Sequence, residues 1–320
     1  MRIVLVGLGS IGKRHLRNIL TLWPSASLFI VSASQRQLSE AELSGCQQVG
    51  LVQAVLEKPD FALIASPASM HLQHAAVFRE AGIPVLIEKP FSHQLAFAEQ
   101  FRNASDPDYL CSLGYCLRYL PSAQVVRDLL ADHKIGSIYS VHSSVGQHLS
   151  QWRRETDYQH SVSARNELGG GVLLELSHEF DYLLWLFNRL TVRFCQLSRA
   201  ELQLDVEERA DVLMTREDGL VCYLHLDFVQ SVPQRSCLII GQNGRIEWDL
   251  LANSVYLTTA TGRELIYQQP DWDKNQMYLL MLQDFVKSLN LKTKAPIPMD
   301  AGVEVLRRIE QSKQLAARGN

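Results

Sequence analysis

The first twelve residues constrain the fold more than any other part of this 320-residue chain. They read MRIVLVGLGSIG, in which an apolar run breaks directly into a Gly-x-Gly-x-x-Gly spacing. An unbroken apolar run is typical of a strand buried on both faces of a parallel sheet. In the turn that follows, Gly7 permits a tight bend, Gly9 lets the backbone approach a pyrophosphate, and Gly12 lets helix and strand pack closely. The pattern predicts a dinucleotide-binding turn, and the alternative is an ordinary strand-to-helix turn that binds nothing.

The phosphates of a dinucleotide would lie at the start of the helix that follows this turn. Backbone N–H groups and the helix dipole favour anions there. We therefore expect Ser10 and Ile11, which lie between the last two glycines, to contact the cofactor together with Gly7, Gly9 and Gly12.

Composition excludes several classes of partner. Hydrophobic residues make up 47% of the chain and charged residues 20%, which are values of a globular protein, and the length suits two domains. The net charge of -3 argues against nucleic acid as the main partner. No apolar run approaches the length of a membrane span, so we expect no membrane partner either.

The start of the chain and its cysteines predict a location. Because the first predicted strand begins at Arg2, we expect no leader ahead of the fold and a cytoplasmic location. The six cysteines form no Cys-x-x-Cys pair and lie in apolar segments. This pattern is typical of buried free thiols in a reducing compartment.

Residues 1–120 alternate short apolar runs with amphipathic segments. The runs predict strands at residues 2–6, 28–31, 61–65, 85–87 and 109–114, and the amphipathic segments predict helices at 13–22, 71–80 and 93–103. This alternation predicts an N-terminal domain over residues 1–120 with a doubly wound parallel sheet of the Rossmann type.

Strands dominate after residue 121. A helix is predicted over residues 122–131, strands over 137–145, 191–202, 210–216, 221–228, 236–240 and 254–258, and further helices over 173–187, 274–289 and 301–317. Short turns join several of these strands. We therefore expect a second α/β domain over residues 121–320, with a large, mostly antiparallel open sheet.

The residues after the second strand bear on the choice of cofactor. NAD-binding folds place an Asp or Glu about twenty residues past the last glycine, where it bonds the ribose hydroxyls. Ser32 holds that place here, and Ser34 and Arg36 follow it. Because no carboxylate is present to repel a 2′-phosphate and Arg36 can bind one, we expect NADP rather than NAD. The alternative is a polar loop with a solvated arginine.

Two further segments carry candidate catalytic side chains. Lys89 follows the strand at 85–87, at the carboxyl edge of the sheet where ligands of doubly wound folds bind. Far along the chain, Glu175, His178 and Asp181 recur every three residues in an apolar segment, so a single helix would place them on one side. A histidine in such a helix is also a common hydrogen-bonded core residue.

Motifs along nearly the whole chain resemble the family named after glucose-fructose oxidoreductase, inositol dehydrogenase and MocA (Gfo/Idh/MocA). The motifs are the glycine turn, Ser66-Pro67-Ala68-Ser69-Met70-His71, Glu88-Lys89-Pro90, Gly114-Tyr115-Cys116-Leu117-Arg118-Tyr119-x-Pro121, Lys134-Ile135-Gly136, the triple glycine 169–171 with His178, and Gly241-x-x-Gly244. The resemblance implies a Rossmann domain followed by an α/β domain whose open sheet forms a homo-oligomer, a dimer or a tetramer.

The resemblance also implies an activity. Members of the family move a hydride between a nicotinamide cofactor and a hydroxyl or ketone of a sugar, cyclitol or sugar acid. It implies that Lys89 lies near the nicotinamide and the substrate oxygen, and that His178 is the general acid/base. Both roles suit the chemistry, because imidazole exchanges protons near neutrality and an ammonium group stabilises charge that develops on oxygen. The matching motifs add Ser66, Pro67, His71, Glu88 and Lys89 as cofactor contacts and Tyr115 as a substrate contact.

One position departs from the family pattern. The family commonly has an aspartate four residues before the histidine, where this chain has Leu174, and the acid here is Glu175, three residues before. We expect Glu175 to bind a sugar hydroxyl or to orient His178. The alternative is a structural partner of Lys89 or Arg165 with no direct role.

A polar stretch before the triple glycine is predicted to cover the substrate. Trp152 and Tyr158 can stack on a sugar ring, and Arg153 or Arg165 can pair with a carboxylate or phosphate on the substrate. Loop arginines are also commonly solvated, which leaves an acidic substrate as one of two alternatives.

A metal site and a different function are the remaining alternatives. His71 and His74 have metal-ligand spacing on a predicted helix, but no third ligand is apparent, so we expect no metal. A non-catalytic dinucleotide-binding regulator is the rival function. The presence of both Lys89 and His178 favours the enzyme.

Overall fold

The computed structural model describes residues 1–152, 157–199 and 201–318, and the chain divides into two units. The first unit comprises Met1–Tyr115 and Tyr278–Leu306. The second comprises Cys116–Met277 and Arg307–Asn320. A segment near the end of the chain thus belongs to the first unit, whereas the sequence suggested one boundary near residue 120.

A parallel sheet forms the centre of the first unit. Its strands are β1 (Arg2–Val6), β2 (Ser27–Val31), β3 (Gln47–Gln48), β4 (Phe61–Ile64), β5 (Val85–Ile87) and β6 (Cys111–Leu113). They lie in the order β3-β2-β1-β4-β5-β6, and every neighbouring pair is parallel. The predicted Rossmann sheet is confirmed. Because the chain reverses its direction of travel between β1 and β4, ligands are expected at the carboxyl ends of these two strands.

Helices connect these strands. They are α1 (Ser10–Leu22), α2 (Glu40–Leu43), α3 (Leu51–Leu56), α4 (His71–Glu80) and α5 (Leu95–Asn103). The periodicity predicts α1, α4 and α5, whereas α2 and α3 are too short to give a clear helical period. Residues 3–6 of β1 are fully buried, as the unbroken apolar run predicts.

The second unit is built on an eight-stranded sheet. Its elements are α6 (Pro121–Ala131), β7 (Ile138–Gly146), α7 (Val172–Glu175), α8 (Ser177–Phe187), β8 (Thr191–Ser198), β9 (Arg209–Thr215), β10 (Val221–Asp227), β11 (Gln234–Gly241), β12 (Gly244–Asp249), β13 (Ser254–Thr259) and β14 (Gly262–Gln268). The strand order is β14-β13-β12-β11-β7-β10-β9-β8. Among these described strands only β7 and β10 pair in parallel, so the prediction of a mostly antiparallel sheet is confirmed.

One face of this sheet packs against helices of its own unit. The rings of Tyr182 on α8 and Trp248 on β12 lie 5.1 Å apart, and the Tyr182 hydroxyl lies 2.5 Å from the Ser143 hydroxyl on β7. The other face carries partly exposed apolar side chains, among them Phe194, Tyr223 and Leu265.

Two long helices end the chain, α9 (Gln276–Leu291) and α10 (Met299–Arg318). Phe285 of α9 packs edge-on against Phe61 of β4, with ring centroids 5.3 Å apart. Between the two helices, the Ile297 carbonyl oxygen accepts a hydrogen bond from the Leu113 amide of β6. Residues from the end of the chain therefore complete the core and one edge of the first unit.

All six cysteines are free thiols, and five of them are buried. Burial raises the pKa of Cys111, and it raises the pKa of Cys222 to about 12. Across the described ranges, no helix is both long enough and apolar enough to span a bilayer.

Candidate active site

The turn between β1 and α1 has the shape that the glycine spacing predicts. Gly7 has a φ of +94°, and a Cβ there would lie 2.7 Å from the Ala65 carbonyl oxygen and from the Ser66 amide nitrogen. A Cβ at Gly12 would lie 2.1 Å from the Gly7 carbonyl oxygen. The turn packs directly against the residues that follow β4, and α1 packs against the turn. Only glycine therefore fits at either position.

Gly9 meets a different environment. A Cβ at Gly9 would find no atom of the described residues within 4 Å, so the backbone of the turn is accessible at this point. Gly9 caps α1 without a side-chain cap, and the first turn of the helix carries no acidic residue. Ser10 is exposed and Ile11 is half-buried. These residues fit a dinucleotide pyrophosphate, because uncapped N–H groups at a helix start bind anions.

His71 joins the loops that follow β4 and β5. It is buried, its Nε2 lies 2.7 Å from the Ser66 carbonyl oxygen, and its Nδ1 lies 2.9 Å from the Pro90 carbonyl oxygen. Burial lowers the pKa of His71, while the two carbonyls and the nearby Glu88 oppose that shift. The observed role of His71 is to hold two loops together, and its predicted contact with the cofactor stays a prediction.

His74 also serves the loop after β4. Its Nδ1 lies 2.9 Å from the Ser66 hydroxyl, and burial lowers the pKa of His74. Within the parts of the chain that the structure describes, no three His, Cys, Asp or Glu side chains are arranged to hold a metal ion.

The strand end that carries Lys89 is tied to α1 by a buried pair. Glu88 accepts a hydrogen bond from Nε2 of His15 on α1 at 2.6 Å, and its other carboxylate oxygen accepts from the Lys89 amide at 3.1 Å. His15 and Glu88 are both buried, whereas Lys89 is half-buried. Gly114 passes so close that a Cβ there would lie 2.9 Å from the Glu88 carboxylate.

These contacts bring most of the first-unit candidates to one edge of the sheet. The glycine turn touches Ser66, His71 joins Ser66 to Pro90, and Glu88 joins α1 to the backbone of Lys89. The sequence did not predict His15, although its position three residues after Gly12 places it on the buried side of α1. A primary ammonium group held at this edge can stabilise negative charge on a substrate oxygen.

Arg36 does not stand free for a 2′-phosphate. Its guanidinium makes two hydrogen bonds with the Glu42 carboxylate, at 2.5 and 2.9 Å. The Glu42 carboxylate raises the pKa of Arg36, and hydrogen bonding to Arg36 lowers the pKa of Glu42 to about 2. The sequence did not point to Glu42, because α2 was not predicted. Ser32 is buried directly after β2, and its hydroxyl lies 3.4 Å from that of Ser34.

In the second unit, the predicted helix over residues 173–187 is two helices. α7 ends at Glu175, and Leu176, with φ of −98° and ψ of 27°, separates it from α8. Glu175 and His178 lie on either side of this break and are both half-buried. The prediction of one continuous helix through Glu175, His178 and Asp181 is therefore wrong, and Asp181 is fully buried and paired with Arg118.

Two buried ion pairs hold α8 in place. Asp181 accepts two hydrogen bonds from Arg118, at 2.6 and 2.9 Å, and Glu179 accepts two from Arg235 on β11, also at 2.6 and 2.9 Å. Burial raises the pKa of Asp181, and Arg118 opposes that shift. Burial alone would lower the pKa of Arg235, but the Glu179 carboxylate raises it above its usual value. These two pairs position the helix that carries His178.

The residues predicted to contact the substrate differ in how deeply they are buried. Trp152 is half-buried, donates from Nε1 to the Gln147 carbonyl oxygen, and meets the Phe228 ring edge-on. Tyr158 is half-buried, Arg165 is exposed and paired with Glu167, and Tyr115 is fully buried. Arg153 lies outside the described residues. Contact of these side chains with a substrate stays a prediction.

A carboxylate at the end of β10 holds the turn that follows this strand. Asp227 accepts hydrogen bonds from the backbone of Val229 and Gln230, from the Gln230 amide, and from His225. Burial raises the pKa of Asp227, but these hydrogen bonds outweigh burial and lower it to about 2. A Cβ at Gly146 would lie 2.2 Å from the Asp227 carboxylate. No sequence motif pointed to this arrangement.

Two family models match this chain. The model described as "Oxidoreductase family, NAD-binding Rossmann fold" matches residues 1–106, and the model described as "GFO/IDH/MocA C-terminal domain" matches residues 123–247. The chain belongs to the Gfo/Idh/MocA oxidoreductase family. The predicted resemblance is confirmed, and the glycine turn is that of an NAD-binding Rossmann domain.

Individual members of the Gfo/Idh/MocA family are distant in sequence. The rhizopine catabolism protein MocA of Rhizobium meliloti is 26% identical over 204 residues, which cover 60% of this chain and 59% of that protein. The UDP-N-acetylglucosamine 3-dehydrogenase of Acidithiobacillus ferrooxidans is 30% identical over 128 residues, 40% of this chain and 41% of that enzyme. The matches therefore span about half the length of these relatives.

A solved structure matches the fold over the whole chain. Levoglucosan dehydrogenase in complex with NADH and levoglucosan superimposes with a TM-score of 0.87 and 17% identity, covering 100% of this chain and 98% of that one. At this identity the likeness establishes the Gfo/Idh/MocA fold.

Proposed function

We propose that this protein is an NAD-dependent dehydrogenase or reductase that acts on a hydroxyl or ketone of a sugar or sugar derivative. The observation that carries the proposal is the edge of the first sheet. There a glycine turn that fits a pyrophosphate follows β1, and Lys89, whose amide donates to Glu88, follows β5 on the other side of β4 in the same sheet. The relatives support the substrate class, since two of them are named for UDP-N-acetylglucosamine and levoglucosan.

The proposed chemistry assigns one task to each catalytic side chain. Nicotinamide, when bound, exchanges a hydride with the carbon that carries the reacting oxygen. Lys89 stabilises the negative charge that grows on this oxygen as its proton leaves. His178 takes that proton when a hydroxyl is oxidised and returns it when a ketone is reduced. Glu175, across the α7–α8 break from His178, binds a neighbouring substrate hydroxyl or orients the imidazole.

The cofactor contacts proposed are Gly7, Gly9, Ser10, Ile11 and Gly12 for the pyrophosphate. Ser32 is proposed to meet the adenosine ribose, and Ser66 and Pro67 to line the loop after β4. NAD is favoured over NADP because Glu42 already occupies the guanidinium of Arg36, which was expected to bind a 2′-phosphate.

Oligomerisation and location are part of the proposal. The outer face of the eight-stranded sheet carries partly exposed Phe194, Tyr223 and Leu265, which would be buried by a second copy of the chain. Six free thiols suit a reducing compartment such as the cytoplasm.

Hydride transfer is tested by absorbance of the reduced cofactor. Sugars, sugar acids, cyclitols and nucleotide sugars are incubated with NAD and with NADP, and kcat/KM is then measured for Lys89→Met and His178→Asn. We expect each variant to lose about 10²–10⁴-fold in kcat/KM. Lys287→Met and His133→Asn, at exposed positions, serve as matched controls and are expected to keep wild-type activity.

The outcomes separate the candidate functions. If NAD binds but no compound of the panel changes the absorbance, the dinucleotide-binding regulator replaces the enzyme. If a substrate is found and either variant keeps wild-type kcat/KM, the catalytic role of that residue is rejected.

A further inference from the structure

Three charged side chains from three elements meet beside the predicted ribose site of the first unit. Arg36, in the loop after β2, makes its two hydrogen bonds with Glu42 of α2. Nζ of Lys13, the residue of α1 that follows Gly12, lies 3.6 Å from the same Glu42 carboxylate. The two cations are about half exposed, with 51% and 54% of their side-chain surface accessible, whereas the Glu42 side chain is 22% exposed. One carboxylate therefore serves two cations that solvent and ligands can reach.

Glu42 is fixed in this place by its own backbone turn. The Ser39 hydroxyl accepts from the Glu42 amide at 3.3 Å, and the Glu42 carboxylate accepts from the Ser39 amide at 3.2 Å, which forms a capping box at the start of α2. The backbone beside Arg36 is held as well, because Gln48 of β3 donates to the Arg36 carbonyl and accepts from the Leu38 amide. The ion pair is therefore part of the local fold.

The position of this cluster relates to cofactor choice. Dinucleotide folds that use NAD place a carboxylate at the end of β2, and folds that use NADP place an arginine near it. In this chain Ser32 follows β2 directly, and the nearby carboxylate is that of Glu42 on α2. An arginine fork and a lysine ammonium next to the ribose would otherwise make a strong site for a phosphate monoester.

We propose that Glu42 is the residue that makes this protein prefer NAD to NADP, by occupying the two cations that would bind a 2′-phosphate. This inference rests on the proposed dinucleotide-binding function. A 2′-phosphate carries a charge near −2 at neutral pH, so it would have to displace the carboxylate from Arg36 or lie beside it. With Glu42 present the three side chains sum to a single positive charge, and without it they sum to two.

The test is the Glu42→Gln variant. Gln has the size of Glu and can still accept the Ser39 amide, but it carries no charge. Binding of NAD, NADP, 5′-ADP and 2′,5′-ADP is measured by titration calorimetry on the full chain at low salt. We expect the affinity for NADP relative to NAD to rise by about 10- to 100-fold, since a new charge-assisted contact to phosphate is gained. The affinity for NAD itself is expected to change by less than about threefold.

Two controls separate the local effect from a general change of charge. Glu57→Gln removes a carboxylate from another arginine pair of the same unit, that with Arg2, and should leave the ratio unchanged. Adding Arg36→Met to Glu42→Gln should remove most of the gain, because Arg36 supplies the bidentate contact. The gain should also shrink as the salt concentration rises, since both cations are exposed to solvent.

Each outcome is decisive. An unchanged ratio in a folded Glu42→Gln variant, or a wild-type protein that already binds NADP as tightly as NAD, would overturn the assignment of Glu42. Absence of binding of every dinucleotide to the wild-type protein would instead reject the proposed function. If Glu42→Gln does not fold, Lys13→Met decides, because removal of a cation that Glu42 already occupies should lower NADP affinity by less than about threefold.

Discussion

Individual glycines of the first turn have separate tasks that single substitutions can distinguish. Gly12 is surrounded by backbone, and a Cβ there would lie 2.1 Å from the Gly7 carbonyl oxygen, whereas a Cβ at Gly9 would meet no described atom within 4 Å. Gly12→Ala therefore forces the strand and helix apart, and Gly9→Ala only adds a methyl group where the pyrophosphate is proposed to approach.

We expect Gly12→Ala to lower the stability of the protein and Gly9→Ala to weaken the binding of NAD. Overpacking of this kind costs about 1–3 kcal/mol, so Gly12→Ala should lower Tm by several degrees. Gly9→Ala should keep the wild-type Tm but raise the Kd for NAD at least about tenfold. Thermal unfolding and calorimetry on the same samples check both. Wild-type NAD affinity in Gly9→Ala would contradict the proposed position of the pyrophosphate.

At the scale of single residues, the sequence predicts local motifs better than it predicts which side chains form hydrogen bonds or ion pairs with each other. The tight packing at Gly7 and Gly12 was predicted from the glycine motif, because such motifs reflect local backbone geometry. The Arg36–Glu42 pair was not predicted, since it depends on a four-residue helix that has no periodicity to detect. His15 and Glu88 are 73 residues apart, and no local pattern could have joined them.

Among the elements, α8 depends on its buried ion pairs. The Glu179 side chain is fully buried and Arg235 is its bidentate partner. Removing one partner of such a pair leaves an uncompensated charge in the interior, whereas replacing both with apolar groups removes the charge altogether.

We therefore expect Arg235→Met to lower the free energy of unfolding by about 3–5 kcal/mol, measured by urea denaturation. The double variant Glu179→Leu/Arg235→Met should recover most of that loss. Arg209→Met breaks the exposed pair with Glu201 and, as a control, should change stability by at most about 1 kcal/mol. If the double variant is no more stable than Arg235→Met, the loss of stability does not come from the unpaired charge of Glu179, and this explanation is rejected.

Element boundaries were predicted where hydrophobic periodicity is strong. The predicted helix over residues 71–80 coincides with α4, and the first strand coincides with β1. β14 was missed because it is a largely exposed edge strand with little apolar alternation. The break at Leu176 was missed because apolar residues continue through it at helical spacing, and periodicity alone does not reveal a change of backbone direction.

For the whole molecule, the outer face of the large sheet is the proposed contact between subunits. Phe194 and Tyr223 are 54% and 47% exposed on β8 and β10. Exposed apolar side chains on a broad sheet face are stabilised when another copy covers them. The double variant Phe194→Glu/Tyr223→Glu should therefore shift the mass measured by light scattering from an oligomer to a single chain.

Val52→Glu on α3 is the control for this experiment. Val52 is 73% exposed but belongs to the first unit, so its substitution should leave the mass unchanged. A wild-type protein that has the mass of one chain would contradict the proposed oligomer.

The assignment of chain segments to units was the least predictable property of the whole molecule. Helical periodicity predicted α9 and α10 correctly as helices, but an amphipathic face does not reveal which core it covers. The packing of Phe285 against Phe61 places residues from the end of the chain in the first unit, and this contact joins segments that are far apart in sequence.

The closure of β6 has a consequence for synthesis on the ribosome. Ser112 of β6 bridges to Pro298, and its hydroxyl accepts a hydrogen bond from the Ile297 amide, 185 residues further along the chain. The emerging chain therefore completes the sequence of all six strands of the first sheet long before the segment that covers its edge is translated. Until then β6 presents open backbone groups, which are a template for wrong pairing between nascent chains. Translation of α9 and of the segment that follows it is thus required before the edge of the first sheet is covered.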